Sequence, residues 1–167
     1  MDVQSLVAVF TVLLTISLSA ERLIELGKPL YEKITSDTWF SRCVREGKNN
    51  TCERCGKQYS EGRGLQCAHY EGRGNYATRF EPINCFALCY GCHVWLDSHR
   101  ADAEEFYLSK KGRVSLDVLI EKSRDLMLGK QNRREVKEIA AHYKAEYERI
   151  MKLRSEGETR RIEVVGY

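Results

Sequence analysis

The chain reads as an α+β protein in which a small, metal-stapled unit is flanked by helices on both sides and preceded by a hydrophobic helix at the N terminus. Three observations predict this. Two C-x-x-C pairs, Cys52/Cys55 and Cys89/Cys92, bracket a stretch of 33 residues. Residues 47–93 are rich in Gly and Cys and carry only short strand-like pieces, a pattern better explained by a metal clip than by an apolar core. On either side, apolar residues recur three or four apart, as on a helix face.

The bounds are set by size and charge. With 167 residues, 43% hydrophobic and 2 Pro, the chain is long enough for one domain with an appendage and excludes collagen, low-complexity disorder and a multi-pass membrane protein. The net charge is +3, but residues 1–27 hold one base (Arg22) against three acids (Asp2, Glu21, Glu25), so the rest carries +5. A mildly basic remainder is compatible with nucleic acid without requiring it. The organisation follows: a leader at 1–27, connecting helices at 28–46, the stapled core at 47–100, C-terminal helices at 101–154 and a tail at 155–167.

The leader holds eighteen consecutive uncharged residues, 3–20, at the lower limit for a membrane-spanning helix. No Lys or Arg precedes it, unlike the usual signal peptide, and Arg22, Lys28 and Lys33 follow it. Under the positive-inside bias the rest would face the cytoplasm, tethered to the inner membrane of a bacterial host. A cleaved signal peptide and a helix packed on the domain are the competing readings. Beyond it, ERLIELGKPLYEKI continues as helix until Gly27 and Pro29 bend or end it.

Ser36 or Asp37 then caps a short helix with Trp39, Phe40, Cys43 and Val44 on one face. A helical pattern returns from Leu96 to about Gly129, and another from Arg133 to Arg154, with Val136, Ile139, Ala140, Tyr143, Tyr147 and Ile150 along one stripe. The final residues, SEGETRRIEVVGY, look frayed.

Four thiolates in two C-x-x-C knuckles suit a tetrahedral Zn²⁺, each knuckle offering two sulfurs from one tight turn, helped by Gly56 and Gly91. An odd cysteine total of 7 argues against a full set of disulfides. Cys43, Cys67 and Cys85 read as small buried apolar residues. His69, Asn84 and His93 fall between or directly after the knuckles, so one clip would pin all three.

In this order, interleaved with the knuckles, His69, Asn84 and His93 resemble the HNH nuclease superfamily, and most closely its phage recombination endonucleases of the Rap (NinG) type. The likeness runs through SDTWFSRCVREGKNNTCERCG, AHYEGRG, TRFEPINC and LCYGCH, over roughly residues 36–100. It implies a ββα-metal, treble-clef-like core and metal-dependent hydrolysis of DNA phosphodiesters, leaving 5′-phosphate and 3′-hydroxyl ends, in phage recombination or DNA processing. It also implies branched or single-strand-containing DNA as substrate. His69 is then the general base, a role an imidazole fills near neutral pH. His93 is the candidate ligand of a catalytic divalent ion such as Mg²⁺. Asn84 either shares that ion or orients His69. Many HNH enzymes carry an acidic ligand just before the first His, where this chain has Ala68; Asp97, one helical turn after His93, and His99 are the substitutes.

Arg73 and Arg79 flank the turn after His69 and are the candidates for holding phosphate. Tyr70, Tyr76 and Phe80 read as core. Lys130, Arg133, Arg134 and Lys137 form a basic cluster beside Glu135 and Glu138, either a track for a DNA backbone or an ordinary solvated face. His142 has no evident partner. A non-catalytic zinc-binding DNA or protein adaptor tethered to a membrane is the other function the sequence allows, with Ala68 as its main argument.

Overall fold

The computed structural model describes residues 35–167. The leader and its predicted continuation, including the membrane-spanning reading of residues 3–20, lie outside these residues. Among the described residues no helix is long and apolar enough to cross a membrane.

The architecture of the described residues is α+β, with five α-helices and one two-stranded antiparallel sheet. Helix α1 (Ser36–Gly47) buries Phe40, Cys43 and Val44, as their spacing predicts. Its last residue has to be glycine, because a Cβ on Gly47 would lie 2.8 Å from the carbonyl oxygen of Ile162. A knuckle loop closed by a Thr51–Gln58 bridge leads to β1 (Leu65–His69). A fourteen-residue connection, Tyr70–Ile83, and Asn84 bring the chain back as β2 (Cys85–Cys89), in a register that sets His69 opposite Cys85 and Leu65 opposite Cys89. Helix α2 (Tyr90–Ser98) follows without a gap, giving a hairpin followed by a helix.

The helical stretch predicted from Leu96 to Gly129 is divided. After α2 the chain turns at His99 and runs as α3 (Arg100–Ser123), itself broken at Gly112 (φ 79°). It then restarts as α4 (Leu126–Arg134), capped by Asp125, whose carboxylate accepts from the Met127 and Leu128 N–H groups at 2.9 Å. Helix α5 (Val136–Ser155) packs on α1 and buries Ile139, Tyr143 and Ile150 of the predicted stripe, with Val136, Ala140 and Tyr147 partly buried; Glu146, not part of that stripe, is buried beside them. Aromatic rings fill that contact: Phe40 lies 4.9 Å from Tyr143 and 5.9 Å from Phe80, both edge-on. A second aromatic group ties α3 to the hairpin, with Phe86 at 4.9 Å from Phe106 and Tyr70 at 4.7 Å from Tyr107. Tyr70 and Phe80 are core, as expected, and Tyr76 is partly buried against them.

The tail differs from expectation. It has no regular secondary structure, yet it is held along its length. The Ile162 N–H donates to the Gly47 carbonyl at 2.8 Å, and the Ile162 side chain is buried. The Val165 N–H donates to Glu146 at 2.8 Å, and His142 bonds the Val165 carbonyl through Nε2 at 3.0 Å. Arg154 donates to the Glu158, Arg160 and Glu46 carbonyls, each at 2.7 Å. Short apolar residues at 162 and 164 supply too little periodicity to announce this docking in sequence.

Candidate functional site

The two knuckles meet as the spacing requires. Cys52 and Cys55 leave the loop after α1, whereas Cys89 ends β2 and Cys92 sits in the first turn of α2. One sulfur from each of the four lies within 4.8 Å of the other three, and Cys55 Sγ and Cys89 Sγ are 3.9 Å apart. This group could hold a metal ion and is compatible with zinc. The turn that makes it possible places Gly56 at φ 74°, a left-handed conformation that glycine adopts without steric cost. The Gly56 N–H closes the turn on the Cys52 carbonyl at 2.9 Å, and the Cys89 N–H donates to Cys52 Sγ at 3.4 Å. Burial alone would raise the Cys89 thiol, but hydrogen bonds from Cys92, Tyr59 and Cys52 draw it down to about 6. The Arg54 guanidinium stacks on Trp95 at 3.8 Å and points Nη1 at Cys92 Sγ, 3.7 Å away, offsetting part of the charge that four thiolates would carry.

The first knuckle is locked to the sheet by Glu53. Its N–H donates to the Ala87 carbonyl, and its buried carboxylate accepts the Ala87 N–H, both at 2.9 Å. Lys48 and Arg161 stand 4.0 and 3.8 Å from that carboxylate. The clip therefore fixes β2, and β2 fixes the hairpin.

A cleft of about 480 Å³ opens beside the hairpin, and both predicted histidines line it. His69 enters from the end of β1. Its Nε2–H donates to the Arg79 carbonyl at 2.9 Å, which leaves the lone pair on Nδ1. Burial, with the nearby Arg73 and Arg79 cations, holds its pKa below the usual imidazole range against the opposing pull of that carbonyl and of Asp37. The ring is thus neutral near pH 7. His93 enters from α2, with Nδ1–H donating to Gln66 Oε1 at 2.7 Å and Nε2 directed at Asp97 Oδ2, 3.7 Å away. Asp97 is therefore where its helical spacing placed it. His99 is not: its Nδ1 meets Ser98 Oγ at 2.9 Å and its ring stacks on Trp95.

Asn84 is fully buried and does not line the cleft. Its Oδ1 accepts the Glu71 N–H at 2.7 Å, and its amide nitrogen donates to the Glu71 and Thr78 carbonyls at 3.0 and 2.9 Å. All three bonds pin the loop that carries Arg73 and Arg79. Of those two arginines, Arg79 is committed to Asp37 through a two-pronged bond (2.9 and 2.6 Å), whereas Arg73 lines the cleft with more than half of its side chain exposed, 3.2 Å from the same carboxylate. Their charge pulls the Asp37 carboxyl below its ordinary range, although burial acts in the opposite sense.

Among the cleft residues not anticipated, Asp37, Ser41 and Arg45 form a polar stripe along α1, four residues apart, and Gln66 orients His93. The i, i+4 spacing of that stripe is its signal in the sequence. The basic cluster also converges in part. Lys130, Arg133 and Arg134 line a second cleft of about 510 Å³ with Tyr76, over whose ring Arg133 sits at 4.6 Å.

A second group, Cys67, His69 and Cys85, likewise brings its ligand atoms within 4.8 Å of one another. Cys43 and Cys85 are buried, as expected of them, but Cys67 is only partly so. No family model, curated protein or solved structure matches this chain significantly.

Proposed function

We propose that the chain is a metal-dependent DNA endonuclease of HNH type, with a zinc-stapled ββα-metal core. The observation that carries this reading is the convergence of His69, His93 and Arg73 on one cleft beside a hairpin and helix joined by the two cysteine knuckles.

The chemistry follows from the side chains. A water attacking phosphorus must lose a proton, and His69 accepts it at Nδ1, its other nitrogen being held by the Arg79 carbonyl. The new P–O bond forms as the P–O3′ bond breaks, so the products end in 5′ phosphate and 3′ hydroxyl. Arg73 binds a non-bridging phosphate oxygen from the rim of the cleft, with Asp37 and Arg79 fixing the loop beneath it. Zn²⁺ is the ion that fits the four thiols. For a second, catalytic ion such as Mg²⁺ the fitting pair is His93 Nε2 and Asp97, a nitrogen and a carboxylate 3.7 Å apart, with solvent able to fill the other positions. When bound there, it would supply several kcal/mol of charge stabilisation at the departing oxygen. Asn84, its amide fully engaged, acts as the positioning residue of the loop. The second cleft offers Lys130, Arg133 and Arg134 to a DNA backbone. A preference for branched DNA, a phage recombination setting and a membrane tether rest on the resemblance and the leader alone.

Ala68 favours one other reading, a non-catalytic zinc-binding adaptor. Its side chain is fully buried, on the same face of β1 as Gln66, so no carboxylate accompanies His69 on its strand. Plasmid nicking by the full-length chain in Mg²⁺, Mn²⁺ and Ni²⁺ separates the two. The nuclease reading expects His69→Ala to lower the rate about 10²–10⁴-fold. Wild type as inert as that variant in all three metals would hand the function to the adaptor.

A further inference from the structure

The hairpin carries a second set of metal donors. Ala87 spends its N–H and carbonyl on Glu53, so the pairs Cys67–Ala87 and His69–Cys85 are of the non-hydrogen-bonded kind, in which facing side chains come closest. Cys67, His69 and Cys85 therefore share one face of the sheet, and their donor atoms fall within 4.8 Å of one another. We propose that these three residues form a second site for Zn²⁺ or a similarly soft divalent cation, with one coordination position open to the cleft, and that filling it silences His69.

Four observations support the site. Two sulfurs and an imidazole are donors that favour Zn²⁺ over Mg²⁺. The His69 Nε2–H is already bonded to the Arg79 carbonyl, which is the outer partner a metal-bound histidine ordinarily has, and Nδ1 is left for the ion. Two thiolates cancel the charge of a divalent ion, so the buried position of Cys85 does not require an isolated anion. Cys67 and His69 line the cleft, which gives the ion a route in and leaves room for water as fourth ligand, the arrangement of open zinc sites. The site is separate from the clip, because Cys85 and Cys89 lie at opposite ends of β2, roughly 13 Å apart along an extended strand.

Zinc bound here would occupy the same nitrogen that accepts the proton from water. This consequence rests on the nuclease reading; the site itself does not. Full-length protein, equilibrated with excess Zn²⁺ and desalted, is expected to retain two zinc ions per chain by elemental analysis. Cys67→Ser and His69→Gln should each retain one, with far-ultraviolet circular dichroism unchanged. Replacing zinc by Co²⁺ should give a thiolate-to-cobalt charge-transfer band whose intensity per chain falls in both variants. One zinc in the wild type, or two in folded variants, overturns the site. If nicking is active, zinc beyond the first equivalent should suppress it at least tenfold, and unchanged or rising activity overturns the silencing. A chain that binds two zinc ions and never nicks DNA would sink the nuclease reading and leave the site standing.

Discussion

The knuckle loop and the α1–α5 contact lie on either side of the same short hairpin, and they are held by opposite means. Between Lys48 and Gly64 the only apolar side chain that is fully buried is Cys52, so four sulfurs and the Glu53 bridge to Ala87 give that loop its shape. Across the hairpin, Phe40, Tyr143, Ile139 and Ile150 are sealed from solvent, and apolar burial supplies the order, at about 1.5–3 kcal/mol per large side chain. A loop without a core can be rigid when its ends are ligands. The hairpin placed between the two inherits one boundary from each, with His69 against Phe40 and Cys89 among the four sulfurs.

Metal removal should produce the largest effect and the clearest separation. Structural zinc in small peptides accounts for about 10–16 kcal/mol of folding free energy, more than any one side chain. A chelator, or Cys52→Ser, is expected to bring the amides of residues 48–64 to the hydrogen-exchange rates of an unfolded chain, while those of α1 and α5 stay protected. Equal loss in both regions would mean that the clip holds the whole domain. Phe40→Ala works from the other side. Truncating that ring should cost about 3–5 kcal/mol in urea unfolding and leave zinc stoichiometry unchanged.

The same contrast explains what could be read in advance. Coordination demands fixed local spacing, so Cys52, Cys55, Cys89 and Cys92 announce the clip, and helical periodicity announces α1 and α5. Asp97 was legible for the same reason, being four residues after His93. What stayed hidden depends on partners far along the chain. Arg79 was a candidate phosphate ligand with no sign in the sequence of Asp37, 42 residues away, to which it is bonded, and Asn84, open to sharing the ion or orienting His69, gave no sign of its bonds to Glu71 and Thr78. The Cys67, His69 and Cys85 group depends on strand register, which no spacing rule supplies. The helix break at Gly112 falls at a glycine with φ 79°, a local feature, whereas the docked tail arises from tertiary contacts that a featureless stretch does not announce.

The tail offers the smallest and most local test, since it attaches the C terminus to the apolar side without adding much apolar surface. Glu146 is buried and accepts both the Val165 N–H and a forked Arg149, at 2.7 Å to each oxygen. Burial by itself would raise its carboxyl, and these donors reverse that, leaving the pKa below the ordinary glutamate value of 4.5. A depressed carboxylate contributes stability that is present above the unfolded value and lost as pH falls through the folded one. Glu146→Gln should cost about 1–3 kcal/mol, the range for weakening a charged hydrogen-bonded group. It should also flatten the acid limb of the stability curve below pH 4.5, where the wild type loses this contribution. Exchange of the Val165 amide reads the same event directly: it should lose protection in the variant at neutral pH and in the wild type only on acidification, while at neutral pH the amides of residues 48–64 do not respond to the substitution. A variant whose Val165 amide remains as protected as in the wild type would show that Ile162 and its bond to Gly47, and not the carboxylate, hold the tail.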